Sequence, residues 1–145
     1  MEYFRIVKRE YADQPLGYGA AAGRWNPRQV PMIYASSSVA LTVTEYLSIK
    51  GPQVVTTHWS LITYELLSDA PILEKDGLPQ SWDARPYSLS TQFFGQSWAM
   101  RRAGVALKVP SARLPLSAYP REHNLLINPL HPDFSAKVVV SRVEE

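Results

Sequence analysis

The sequence predicts an α+β domain with a largely antiparallel or mixed sheet. Three observations carry this. Apolar and polar residues alternate with a period of two at residues 3–8 and again along 54–66, the signature of half-buried strands. Apolar residues recur at helical spacing in 39–49 and 88–102. The glycines at 17, 19 and 23 follow no suitable strand and open no helix, so the turns of a doubly wound nucleotide-binding sheet or a P-loop are missing.

Taken in order, Tyr3 to Lys8 reads as an opening strand, and the Gly- and Ala-rich stretch from Leu16 to Arg24 as a loop. Pro31 to Ala35 is a short apolar run, and the serines at 36–38 are good N-caps for a helix over Val39 to Ile49. Val39, Ala40, Val43, Tyr46 and Leu47 define the expected core-facing stripe of that helix, with Glu45 off it. Leu41 and Ile49 are also apolar, so Glu45 projects from a helix greasy nearly all round, an unusual setting for a carboxylate. Gly51-Pro52 ends the helix, and Val54 to Leu66 reads as one long strand with a bend. Pro71, Pro79, Pro86 and Asp76-Gly77 mark 69–87 as an irregular connection. Ser88 or Ser90 caps a second helix running to about Arg102, with Phe94 and Trp98 at i,i+4 and Gly104 as its stop. Strands follow at Val105 to Val109, His123 to Ile127 and Lys137 to Val143.

The 145 residues suit one domain, since single cores commonly serve roughly 100 to 200 residues. With 46% hydrophobic and 19% charged residues the chain can bury a core and is not disordered. A net charge of +2 with scattered Lys and Arg leaves no electrostatic footprint for duplex nucleic acid, though a local basic pocket is compatible with it. The absence of cysteine excludes disulfides and Cys-based zinc sites. The N-terminus has no apolar leader segment, and no run approaches the length of about 18 apolar residues needed to span a membrane; the expected location is the cytoplasm.

Several side chains carry candidate chemistry. Arg24, in Gly23-Arg24-Trp25-Asn26-Pro27, offers a planar fork suited to a pyrophosphate, or is a surface cation beside a structural Trp25. Tyr34 can stack on a ring or donate its hydroxyl to a ribose, or be a core tyrosine. Glu45 must be paired or have a raised pKa; an anion there could stabilise an oxocarbenium-like carbon, or it could close a salt bridge to Arg24 or another cation. Ser111 sits just past a strand, where it could meet a phosphate or ribose or bond its own backbone. Asn124 and Asn128 can fix a ligand amide or close turns. His131-Pro132-Asp133 matches no zinc spacing. A Ser111, His123 or His131, Asp133 hydrolase can be assembled on paper, without the Gly-x-Ser-x-Gly elbow that would support it. The four tryptophans read as core, Trp82 least clearly.

Gly23-Arg24-Trp25-Asn26, the Tyr34 strand, Glu45 in the next helix, Val109-Pro110-Ser111-Ala112, and Asn124 to Pro129 with His131-Pro132 together resemble the RES domain, the toxin half of Xre–RES toxin–antitoxin modules. The resemblance covers nearly the whole chain, so 1–145 is expected to be a single RES domain. It implies an ADP-ribosyltransferase-like fold, with a mixed or antiparallel split sheet and flanking helices. It implies NAD as substrate, with no metal, cleaved at the nicotinamide–ribose bond by hydrolysis or phosphorolysis. Transfer of ADP-ribose to a protein is an alternative, and an inactive nucleotide-binding module another. Carried over by the resemblance, Arg24, Tyr34 and Glu45 are catalytic, and Ser111 and Asn124 join Arg24 and Tyr34 in holding substrate. An Xre-type antitoxin that occludes the active site is the implied partner, with no direct contact to nucleic acid or membrane; a homodimer within a larger complex is compatible.

Overall fold

The computed structural model describes residues 1–51 and 58–145. The opening alternation becomes strand β1, Glu2–Lys8, which buries Tyr3, Ile6 and Val7. Tyr34 lies on β2, Ile33–Ser36, and Ser38 caps helix α1, Val39–Lys50, by accepting from the Leu41 N–H at 3.1 Å. Gly51 closes the helix at φ 64°, a left-handed conformation glycine adopts without steric cost. Then come β3, Trp59–Leu66; α2, Leu89–Met100; β4, Ala106–Val109; β5, Asn124–Ile127; a short α3, Phe134–Lys137; and β6, Val138–Glu144. The start expected for β3 at Val54 lies outside the described residues.

All strand pairs are antiparallel, in the order β4-β5-β2-β1-β3-β6. The sheet narrows at its centre. β1 runs beside β3 from Glu2↔Glu65 to Lys8↔Trp59, and β2 beside β5 from Ile33↔Ile127 to Ser36↔Asn124. β1 and β2 meet only at Phe4↔Ser36. The sheet is thus two three-stranded halves joined at one point, and the cleft described below lies at this seam.

Side chains alternate across the short-stranded half, as the pleat requires. Ile33, Ala35, Ala106, Leu125 and Ile127 join a core cluster with Tyr3, Ile62 and Tyr64. Leu107, Val109 and Leu126 face the other way, onto Trp25, Trp98 and Ala99, with Tyr34, Trp82 and Phe94 at the margin. Tyr34 and Ser36 on β2 share this second face with Asn124 and Leu126 on β5.

Four expectations are corrected. The stripe assigned to the core side of α1 faces largely outward: Val39 and Leu47 are each 41% exposed, and the buried residues are Leu41 and Thr42, with Glu45 on their face. A helix apolar on all sides has no dominant direction in its sequence, so packing against β1 and β2 chose the face. Helix α2 ends at Met100, and the left-handed residue beyond it is Arg102 at φ 53° rather than Gly104. Trp59 lies at the start of β3 and is exposed rather than core. The single turn of α3 interrupts a stretch that was expected to begin as strand at Lys137.

Candidate functional site

Helix α2 carries the turn that presents Arg24. Gly23 and Asn26 form an isolated antiparallel bridge. Asn26 is buried, and its Nδ2 donates to the carbonyls of Ala21, Pro27 and Val30 at 3.2, 3.2 and 2.9 Å. The Tyr34 hydroxyl donates to Asn26 Oδ1 and accepts from the Trp25 N–H at 3.0 Å. A Cβ on Gly23 would sit 2.6 Å from that hydroxyl. From α2, Gln92 Nε2 donates to Gly23 O at 3.0 Å and Phe94 meets Trp25 edge-on. Gly95 lets the turn approach: a Cβ there would lie 1.6 Å from the Trp25 carbonyl oxygen.

A cleft of about 180 Å³ opens beside this turn, with Arg24, Tyr34, Glu45 and Asn124 among its lining residues. Glu45 Oε1 accepts from Asn124 Nδ2 at 3.0 Å and from the Ser111 hydroxyl. Asn124 is itself oriented, because its Oδ1 accepts from Ser36 Oγ at 2.9 Å. Ser111 is oriented too, its Oγ accepting the Arg113 N–H at 3.0 Å. Two neutral donors therefore fix the carboxylate, and none of the four ion pairs among the described residues involves it. The salt bridge to Arg24 weighed from the sequence is not formed.

Arg24 is half-buried and donates to the carbonyls of Trp82 and Ala84 at 2.8 and 3.0 Å, its guanidinium 4.8 Å from the Tyr87 ring centroid. Burial lowers its pKa, and Arg113 and Arg85 act in the same sense against Tyr87 and Glu45. A guanidinium stays protonated even so. Burial pushes the Tyr34 hydroxyl well above the usual tyrosine value, and that of Tyr46 upward as well. The Tyr46 hydroxyl is buried at the cleft and has no hydrogen-bond partner among the described residues.

Four of the five side chains singled out in the sequence thus line one cleft, and the fifth, Ser111, reaches it through Glu45. Ser111 is only 3% exposed, and its hydroxyl donates to the Glu45 carboxylate. The Tyr34 hydroxyl is likewise taken up by Asn26 and Trp25, which leaves the ring as the face Tyr34 offers. Asn128 closes a turn, donating to Ala99 O and accepting from the Leu130 N–H, each at 3.0 Å. The paper hydrolase does not assemble: His123 bonds Tyr3 and Pro120, and His131 Nδ1 accepts the Asp133 N–H. Among the described residues no group of acidic or histidine side chains is placed to hold a metal, and no helix is long and apolar enough to cross a membrane.

Sequence reasoning missed Ser36, Tyr46, Arg85 and Tyr87 as cleft residues. Ser36 had a local signal, but as a helix cap. Arg85 and Tyr87 lie in the irregular connection, where no periodicity indicates which side chains turn inward.

A split antiparallel sheet with an arginine-lined cleft at its seam and one carboxylate fixed by neutral donors defines the class: an α+β domain whose cleft sets arginines beside a positioned acid. The chain belongs to the RES domain family, whose profile matches residues 2–145. It is 33% identical over 138 residues to a protein named Toxin Res from Yersinia enterocolitica, covering 92% of this chain and 88% of that protein. It is 36% identical over 128 residues to a Prs ADP-ribosylating toxin from a Sphingobium species, covering 84% and 76%. Its fold is similar to a chain in the crystal structure of the M. tuberculosis MbcT-MbcA toxin–antitoxin complex, with a TM-score of 0.67 at 15% identity, over 98% of this chain and 81% of that one.

Proposed function

We propose that this protein is the NAD-consuming toxin of a type II toxin–antitoxin module and cleaves the nicotinamide–ribose bond by phosphorolysis or hydrolysis. The observation that carries the reading is Glu45, held by Ser111 and Asn124 in a cleft whose other charges are arginines. Loss of nicotinamide leaves an oxocarbenium-like ribose carbon, and an anion already fixed beside it stabilises that charge without reorganising. Arg24 grips the pyrophosphate, exchanging two neutral carbonyls for charged oxygens, which make stronger hydrogen bonds. Tyr34 and Tyr87 offer aromatic faces for the rings. Asn124, on the cleft wall, meets the ribose as well as Glu45. The names of the Yersinia and Sphingobium relatives support the toxin and NAD parts of this reading.

Transfer of ADP-ribose to a protein is the second reading, favoured by the name of the Sphingobium relative. An Xre-type antitoxin covering the cleft is the proposed partner, and the toxin–antitoxin complex among similar structures supports a partner of that kind. Nicotinamide release from NAD by the purified, partner-free protein tests the whole reading, with and without inorganic phosphate. Phosphate-dependent release identifies phosphorolysis, and release without phosphate identifies hydrolysis. Release only when a protein acceptor is added identifies the transferase, and no release under any condition rejects NAD chemistry.

A further inference from the structure

The cleft holds more positive charge than the grip of Arg24 uses. Arg85 lines it too, on the 82–87 segment that crosses from Arg24 toward the C-terminal end of α1. Its guanidinium lies 5.9 Å from the centroid of Tyr87, the ring that Arg24 approaches at 4.8 Å. Its protein contacts are long, 3.3 Å to Ser48 O and 3.4 Å to Ser48 Oγ. None of the four ion pairs among the described residues includes Arg24 or Arg85. Glu45 lies in the same cleft but beyond ion-pair distance of either, so among the described residues the two cations beside one aromatic ring repel each other until an anion binds within reach of both.

The same segment supplies the carbonyls of Trp82 and Ala84 that now hold Arg24. A cleft of about 180 Å³ is below the roughly 300 to 1,000 Å³ of common small-molecule sites. Both carbonyls are held by Arg24 Nη1, so a dinucleotide that engages this nitrogen exchanges them for phosphate oxygens and moves the segment on which Arg85 is mounted. We infer that Arg85 is a second phosphate-binding residue of this site, pairing with Arg24 on the two phosphates of a pyrophosphate once the 82–87 segment has released Arg24. The inference rests on the proposed use of NAD, and on a ligand with two linked phosphates in particular.

The test is titration of ADP-ribose into wild type, Arg85→Gln and Arg85→Lys at low and high salt, with NAD turnover measured separately. Arg85 is exposed, so its replacement leaves the core intact. The expected result is affinity weakened about tenfold or more in Arg85→Gln, a shallower salt dependence, and partial recovery in Arg85→Lys. Equal affinity and equal salt dependence in wild type and Arg85→Gln overturn the inference. If wild type binds ADP-ribose but consumes no NAD, the proposed reaction fails while the same titration still decides Arg85. If wild type binds no ADP-ribose, both fall.

Discussion

Asn124 Nδ2 and Glu45 Oε1 are 3.0 Å apart, joining the first residue of β5 to the middle of α1 across 79 positions of chain. Because Asn124 also accepts from Ser36, its amide cannot turn without breaking a second bond, and the carboxylate orientation is built into the sheet. The seam of the split sheet and the proposed reacting group are thereby one construction.

Replacing Glu45 by Gln keeps the shape of the side chain and removes its charge. Nicotinamide release is expected to fall by about 2 to 4 kcal/mol of transition-state stabilisation, roughly 30- to 1,000-fold in kcat, with ADP-ribose binding retained. Full turnover in this variant would assign the chemistry elsewhere.

Ser111→Ala removes one of the two donors to Glu45 without touching the cleft wall. The expectation is a kcat lowered roughly tenfold with KM for NAD nearly unchanged, because a misoriented carboxylate affects the transition state more than ground-state binding. A rise in KM alone would show that the serine meets the substrate directly.

Gly95→Ala places a methyl 1.6 Å from the Trp25 carbonyl oxygen, so the backbone on one side must move. Overpacking of this kind costs about 1 to 3 kcal/mol, and it displaces the turn that bears Arg24. Urea unfolding should record the loss and NAD turnover should drop with it; a variant as stable as wild type would mean that α2 can shift freely.

Tyr46→Phe separates binding from stability. The buried hydroxyl, without a partner among the described residues, costs about 1 to 3 kcal/mol of desolvation, so its removal should raise Tm while weakening NAD affinity if the ligand supplies its partner. Lower Tm with unchanged affinity would place its partner within the protein.

Acid stability follows from His123. Its Nδ1–H donates to Pro120 O at 2.9 Å, which leaves Nε2 to accept from the Tyr3 hydroxyl at 2.9 Å. Burial lowers its pKa below the ordinary 6.5. Between that lowered value and 6.5 the unfolded chain binds a proton that the native state does not, so stability falls as pH drops below about 6.5. Tyr3, pushed up to about 12 chiefly by burial, produces the converse loss as pH rises above about 10. Tm measured from acid to alkali should show a plateau between these limits; no acid decline in wild type would contradict the neutral histidine.

Local signals read correctly where a residue's role depends on its chain neighbours. The alternation at 3–8, the caps at Ser38 and Ser88, and the turn at Gly51 all depend on interactions within a few residues. Arg24, Tyr34, Glu45 and Asn124 were singled out by residue type together with the resemblance carried by their order along the chain, and the fold brings all four to one cleft.

The sequence by itself determined the α+β class, most of the elements and the principal candidate side chains, since periodicity, caps and side-chain chemistry are local properties. Only the tertiary structure decided which face of α1 turns inward, that Ser111 donates to Glu45, that Gly95 admits the Trp25 turn, and that Arg85 and Tyr87 close the cleft. Each of these depends on contacts between segments far apart in the chain. Such contacts are selected by packing and by the need to satisfy buried polar groups, and neither leaves a pattern in the neighbouring sequence.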